Sequence, residues 1–229
     1  IYRTEQRKKG IRPSAIAQDI AWKNGVDIPL LLPTDDVMQT RVLTNKGSLS
    51  FQEYFVREQC KVEITAIAIE GAEQATATAE AMEAIKNSDL IIIAPSNPVV
   101  SIGAILAVSE IRRALEETSA TRVAISPFIG GKTVKGPADQ MMQAIGMDSS
   151  PASVAELYQG CLDAMVIDHE DAESEASLLN SGLEVFITNT LMKTDDEKTQ
   201  LMQACVGFAE EVAQQKRLST AAQLTQEAC

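Results

Sequence analysis

Two segments of this chain gather residue types suited to holding a phosphate. The first is Pro95-Ser96-Asn97-Pro98-Val99-Val100-Ser101-Ile102-Gly103. Two prolines stiffen it, and Ser96 and Asn97 offer hydrogen-bonding side chains. Ser101 is placed to cap a following helix, whose N-terminal N–H groups favour an anion. An ordinary turn needs only one of these polar residues. The second segment is Ser126-Pro127-Phe128-Ile129-Gly130-Gly131-Lys132-Thr133-Val134-Lys135-Gly136-Pro137. Its paired glycines let backbone N–H groups approach a phosphate, while Lys132 and Lys135 supply point charges. The spacing G-x-x-x-x-G-K-[ST] is absent, so this is not a Walker A loop. Elsewhere, Asp35-Asp36 closes an aliphatic run. Such a pair could hold Mg²⁺, which takes one or two carboxylates together with phosphate oxygens, or could serve a turn or helix cap. His169, the single histidine, lies in Asp168-His169-Glu170-Asp171. With no second histidine or neighbouring cysteine, zinc is not expected there, and the acids read as a helix start. No G-x-S-x-G elbow exists for a hydrolase triad.

The elements that must carry these loops follow a regular pattern. Helices are expected over 78–86, 102–118, 138–145, 154–162, 170–179 and 197–216. Strands are expected over 90–94, 122–126, 165–168 and 184–188. The strands are continuously apolar, as in Leu90-Ile91-Ile92-Ile93-Ala94, which marks a parallel sheet covered on both faces. Upstream, a helix ends at Lys9 and another runs from Pro13 to a stop at Gly25. Residues 28–32 read as a short strand. Residues 41–44 and 49–56 flank a hairpin turn at Asn45-Lys46-Gly47-Ser48, and a further strand spans 62–69. The expected fold class is α/β, a doubly wound, mostly parallel, Rossmann-like sheet with a small antiparallel excursion. One domain is expected over residues 1–217, with a frayed tail over 218–229. Ligands of such sheets bind beyond the carboxyl ends of the strands, where both loops fall.

Of the 229 residues 45% are hydrophobic and 23% charged, enough to build a packed core and too apolar for a disordered chain. Twenty basic against 32 acidic residues give a net charge of −12. Such a chain repels nucleic acid and anionic membranes, so an anionic ligand must be met by a local basic loop, and the 126–137 segment is one. The apolar runs are far too short to cross a bilayer, and no secretory signal opens the chain. Cys60, Cys161, Cys205 and Cys229 are widely spaced and form no C-x-x-C, as in reduced cytoplasmic proteins.

Several segments share an order and spacing with a known family: Phe51-Gln52-Glu53-Tyr54-Phe55-Val56-Arg57, the two loops above through Ala138, Asp163-Ala164-Met165-Val166-Ile167-Asp168, and Thr188-Asn189-Thr190-Leu191-Met192. Together they resemble the 2-phospho-L-lactate transferase family of deazaflavin coenzyme F-420 biosynthesis, and the resemblance runs to about Lys216. It implies a Mg²⁺-dependent transferase that moves a phospholactyl or phosphoenolpyruvyl group from a guanosine diphosphate ester to the ribityl hydroxyl of the deazaflavin Fo, releasing GMP. It further implies a cytoplasmic homodimer whose partners are small molecules rather than nucleic acid or membrane. Under this reading Lys132, Lys135 and the N–H groups of Gly130 and Gly131 contact the diphosphate. Pro95, Ser96, Asn97, Pro98, Ser101, Ser126 and Gly136 line the substrate cleft, and Asp35 and Asp36 hold the metal. The catalytic group stays unassigned.

Three departures stand out. The family's opening G-G-T-G loop and the carboxylates after it are missing, and the chain begins on Ile1. It is therefore expected to be an N-terminally truncated fragment lacking part of the active site, which puts its activity alone in question. Ala104 stands where the family commonly has proline, and Asn189 where aspartate is usual. The alternative is the related gluconeogenesis-factor family, nucleotide-sugar-binding regulators whose loop reads G-P-G-S-L-Y-T-S where this chain has A-P-S-N-P-V-V-S. That difference and the Phe51-to-Arg57 motif favour the transferase. Every C3 acid would use the same phosphate contacts, so the sequence does not choose among them.

Overall fold

The computed structural model describes residues 1–227, which form two compact units: Ile1–Asn87 with Gly103–Thr118, and Ser88–Ile102 with Ser119 onward. The first unit opens with α1 (Tyr2–Lys8) and α2 (Pro13–Lys23). Pro13 suits a first helical turn, where no N–H partner is required, and α2 buries Ile16, Ala17 and Ala21. A three-stranded antiparallel sheet follows in the order β2-β1-β3, from β1 (Gln39–Thr44), β2 (Gly47–Ser50) and β3 (Ile64–Glu70). This is the antiparallel excursion expected from the sequence. Helices α3 (Ala79–Lys86), α4 (Gly103–Leu106) and α5 (Ser109–Glu117) complete the unit, with Thr78 capping α3 through Ala81 N.

Three expectations fail in this unit for identifiable reasons. Residues 51–56 do not extend β2. Ser50 and Glu53 form a reciprocal capping box: Ser50 N and Oγ donate to the Glu53 carboxylate at 2.8 and 2.9 Å, and Glu53 N donates back to Ser50 Oγ at 3.2 Å. A π-helical turn, Glu53–Arg57, then buries Tyr54 completely. Residues 28–32 join no sheet, because Pro29 and Pro33 remove ladder donors from the run. Their backbone is satisfied otherwise: Leu30 N donates to Gln18 Oε1 at 2.6 Å, and Leu32 O accepts from Thr78 Oγ1 at 2.6 Å. Finally, the single helix expected over 102–118 is broken between α4 and α5, where fully buried Val108 takes extended backbone.

The second unit is built on a four-stranded, all-parallel sheet. Its strands are β4 (Leu90–Ile93), β5 (Thr121–Ile125), β8 (Ala164–Asp168) and β9 (Glu184–Thr188), hydrogen-bonded in that order. A small hairpin, β6 (Phe128–Ile129) and β7 (Lys132–Thr133), follows β5. Helices α6 (Ala138–Ala144), α7 (Pro151–Leu157), α8 (Glu175–Asn180) and α9 (Asp195–Glu227) surround these strands in sequence. The α/β class is therefore as the apolar pattern predicts. β8 is buried at every position, which is why Ala164–Ile167 read as one unbroken apolar run ahead of Asp168. Leu201, Cys205, Ala209 and Val212 lie three or four residues apart on α9 and pack on Val123, Ile125, Ala164 and Val166. The amino ends of the strands are tied by a half-ring of charge. Arg122 Nη2 lies 2.8 Å from Asp163 Oδ1, and Lys216 Nζ of α9 lies 2.9 Å from Asp163 Oδ2.

The acidic stretch after β8 is a 3₁₀ run, His169–Ser174, that leads into the shorter α8 rather than one helix over 170–179. α9 continues through Glu227, past the point where a frayed tail is expected from Leu218; residues 228 and 229 lie outside the described residues. No helix among the described residues is long and apolar enough to cross a membrane.

Candidate functional site

Each parallel strand delivers its carboxyl end to the same place. After β4, Asn97 and Pro98 begin a helical turn: Asn97 Oδ1 accepts from Val99 N at 2.9 Å and Val100 N at 3.1 Å. Asn97 is thus the cap and Pro98 the first helical residue, a pairing that both side chains favour. Ser101, expected as the cap, instead lies inside the π-helical turn Pro98–Ile102. Ser101 N and Ile102 N both donate to Asn97 O at 3.1 Å. Asn97 Nδ2 reaches Met141 Sδ of α6 at 3.3 Å, so this side chain also fixes the loop against a neighbouring helix.

After β5, Ser126 N extends the ladder to Val166 O at 2.9 Å, and its buried hydroxyl accepts from Phe128 N at 3.2 Å. The β6–β7 hairpin then closes through Gly130 and Gly131, whose φ angles of 59° and 71° give a two-residue turn with positive φ at both positions. Glycine is the residue for which that costs least. Their N–H groups, expected to meet a diphosphate, donate to the two oxygens of Asp171 at 3.0 and 3.1 Å. Thr133 N is held by Asp139 Oδ1 at 3.0 Å. After β9, Thr190 donates its amide (2.8 Å) and hydroxyl (3.1 Å) to Asp168 Oδ2, while Asp168 Oδ1 accepts from Glu170 N at 3.1 Å. Burial pushes the Asp168 carboxyl up, but the bonds from Thr190 and Glu170 outweigh it and hold the group below its ordinary value.

These loops enclose a cavity of about 240 Å³. From the expected set, Pro95, Ser96, Asn97, Ser126 and Lys135 line it. Pro98, Ser101, Gly130, Gly131, Lys132 and Gly136 belong to the same loops without lining it. The sequence reading did not include Ile129, Thr133, Val134, Thr190, Leu191 and Met192 in the lining. The last three follow β9 directly, and a polar residue just past the carboxyl end of a buried parallel strand was the available signal. Lys135 is the single charged residue in the lining. A larger cavity, about 390 Å³, lies at Glu156, Gln159, Ser177 and Ser181, beside the segments that enter β8 and β9. It sits at the amino ends of those strands, away from the loops, and the topology favours the smaller cavity as the ligand site.

Asp35 and Asp36 belong to the first unit, where both Asp35 oxygens and Asp36 Oδ2 accept hydrogen bonds. Asp35 Oδ1 accepts from Ser14 N at 2.7 Å, and Oδ2 accepts from Arg12 Nε at 2.7 Å. Asp36 Oδ2 accepts from Thr76 N and Oγ1, both at 2.8 Å. Burial raises the Asp35 carboxyl, but the Ser14 and Arg12 bonds prevail; the Thr76 bonds lower Asp36. This pair therefore anchors α2 and the 76–78 segment. Among the described residues no group of three or more His, Cys, Asp or Glu is placed to hold a metal ion.

The family profile described as "2-phospho-L-lactate transferase CofD" matches residues 3–206 of this chain. A 2-phospho-L-lactate transferase of Methanocaldococcus jannaschii is 34% identical over 212 residues, 91% of this chain and 67% of that one. A phosphoenolpyruvate transferase of Streptomyces coelicolor is 36% identical over 219 residues, 93% of this chain and 68% of that one. The chain thus spans about two thirds of the length of these curated relatives. A crystal structure of a Bacillus halodurans protein superposes with a TM-score of 0.58 at 16% identity, covering 84% of this chain and 66% of that chain. A second crystal structure, described as a member of the UPF0052 family from the same organism, gives 0.55 at 14%. At such identities the likeness concerns the fold alone.

Proposed function

The chain belongs to the 2-phospho-L-lactate transferase family, and from that premise we propose that its pocket serves phospho-acid transfer in coenzyme F-420 biosynthesis. The donor is a guanosine diphosphate ester of lactate or enolpyruvate, and the acceptor is the ribityl hydroxyl of the deazaflavin Fo. The acceptor oxygen bonds to the phosphorus that bears the acid, and the bond from that phosphorus to the bridging oxygen breaks. GMP leaves with the bonding pair, and the hydroxyl proton passes to solvent.

The observation that carries this reading is Lys135, one charge in an otherwise neutral lining at the carboxyl ends of β4, β5 and β9. Transfer of this kind depends on positioning and on neutralising charge at the phosphate oxygens, and a lysine on a partly apolar rim supplies the charge. A cavity of about 240 Å³ is smaller than the roughly 300–1,000 Å³ of sites that enclose a whole drug-sized ligand. It suits the phospho-acid end of the donor. We assign Ser96 and Lys135 to that end, while Asn97, Ser126 and Thr190 shape the walls through the bonds described above. Magnesium, which neutralises diphosphate charge when bound, enters as a companion of the donor. Asp35 and Asp36 lie in no group of three or more ligating side chains among the described residues, so no step is routed through the metal. A homodimer, implied by the family resemblance, is included in the proposal and is read directly by sedimentation velocity.

The relatives bear lactate and phosphoenolpyruvate names at 34% and 36% identity, so identity does not select the acid. The deciding assay offers Fo, Mg²⁺ and each guanosine diphosphate ester to the chain, with products read by mass spectrometry. GMP and a phospho-acid adduct of Fo are expected, the better donor naming the acid. Nucleotide binding with no adduct from either donor sinks the transferase reading and promotes a nucleotide-binding regulator.

A further inference from the structure

The segment from Asp168 to Asp171 sits behind the cavity rather than in it, yet two of its carboxylates hold two walls. Asp168 takes both donors of Thr190, and Asp171 takes the consecutive amides of Gly130 and Gly131. Paired amides at positive φ form a concavity of the kind that binds phosphate oxygens, and here a protein carboxylate fills it. Asp171 is 5% exposed. A ligand phosphate that took these amides would leave a buried carboxylate without its partners, a larger loss than the exchange would return. The hairpin is enclosed from the same segment: a Cβ on Gly130 would lie 2.6 Å from Glu170 Oε2.

We propose that Asp171 is a positioning residue. It acts as the resident anion of the Gly130–Gly131 turn and thereby sets the β6–β7 hairpin that places Lys135 in the pocket lining, while Asp168 sets the opposite wall through Thr190. The two glycine amides belong to the scaffold, and the charge offered to a ligand comes from Lys135. Only the binding arm of the following test rests on the pocket reading above.

The test measures amide hydrogen exchange at Gly130 and Gly131 in the whole chain, with and without saturating inorganic pyrophosphate, alongside a pyrophosphate titration. In the unsubstituted chain both amides are expected to exchange slowly and to be indifferent to pyrophosphate. D171N is expected to speed their exchange about ten- to a hundred-fold, the loss of bonds to a charged acceptor, with β8 and α9 unchanged. It also weakens pyrophosphate binding several-fold. K135A weakens pyrophosphate binding and leaves the glycine amides slow. Pyrophosphate that slows the glycine amides would show that they serve the ligand, and would overturn the proposal. So would D171N that leaves their exchange unaltered, or that frees the hairpin with no change in affinity. If the unsubstituted chain binds no pyrophosphate, the pocket reading fails, and the exchange arm alone decides whether Asp171 holds the hairpin. Should D171N not fold, D171S, whose hydroxyl can still accept one N–H, carries the same readouts.

Discussion

At the scale of single residues, Lys135 and Lys132 separate two roles that look alike in sequence. Both are exposed and lie in one loop, but Lys135 lines the cavity and Lys132 does not. Lys135→Ala is expected to lower affinity for guanosine diphosphate or pyrophosphate about tenfold or more, by ~1.5–3 kcal/mol. Lys132→Ala is expected to change it less than about twofold, as a screened surface charge would. Isothermal titration at two salt concentrations distinguishes them, and equal effects would refute the assignment. Cys205 gives an independent check on burial, which pushes its thiol up to about 11. Cys161 is fully buried as well. Neither thiol is expected to react with iodoacetamide at pH 8 until the chain unfolds, as read by intact mass. The sequence showed which residues could bind a phosphate but not how each is used. Asn97 and Ser101 are both good caps, and only the position of Pro98 at a helix start separates them. Asn189, where the family commonly has aspartate, closes a turn by accepting from Leu191 N at 3.1 Å, a bond that either side chain can make.

Among elements, the β6–β7 hairpin depends on its two glycines unequally. Both have positive φ, but a Cβ at Gly131 meets only Ser149 O at 3.7 Å, whereas one at Gly130 must displace the Glu170 carboxylate. Gly131→Ala is expected to cost about 1–2 kcal/mol from backbone strain alone, and Gly130→Ala more, as shifts in urea midpoint. The reverse order would contradict the packing described. The amino ends of β5 and β8 depend on Asp163, whose carboxylate holds Arg122 and Lys216. Arg122 and Asp163 are only partly buried and Lys216 is partly exposed, so Asp163→Ala is expected to destabilise by about 1–3 kcal/mol in denaturant titration, the cost of leaving donors without their acceptor. Much of this architecture was legible beforehand. Leu90–Ile93 of β4, Val123–Ile125 of β5 and Ala164–Ile167 of β8 are short apolar runs, of a length that favours strands over helices. The misread elements are those where apolar spacing is ambiguous. F-Q-E-Y-F-V carries the aromatic and branched residues that strands favour, yet Ser50 and Glu53 had already spelled a capping box. Residues 28–32 are aliphatic enough for a strand, and Pro29 and Pro33 forbid one.

For the molecule as a whole, acid is the sensitive direction. Burial raises the carboxyls of Asp35, Asp163 and Asp168, but donors from Ser14 and Arg12, from Arg122 and Lys216, and from Thr190 and Glu170 prevail, holding each below the ordinary value of 3.8. A lowered carboxyl contributes stability that is complete above its unfolded value and is lost as pH falls through its folded one. The urea midpoint is therefore expected to stay nearly level from pH 7 to 5 and to drop below about pH 4. Asp163→Asn is expected to flatten that drop. A midpoint that falls between pH 7 and 5 would point to other groups. Time acts on the folded chain as well as pH. Asparagine converts to aspartate when the next residue's backbone nitrogen attacks its side-chain amide, and the nitrogen of Pro98 has no hydrogen with which to do so. The residue that caps the pocket's helical turn is thus closed to this form of ageing. Asn24 at the end of α2 precedes Gly25 and is open to it. Peptide maps of a stored sample are expected to show Asn24 converted first and Asn97 intact, so that the pocket keeps its cap longer than α2 keeps its end.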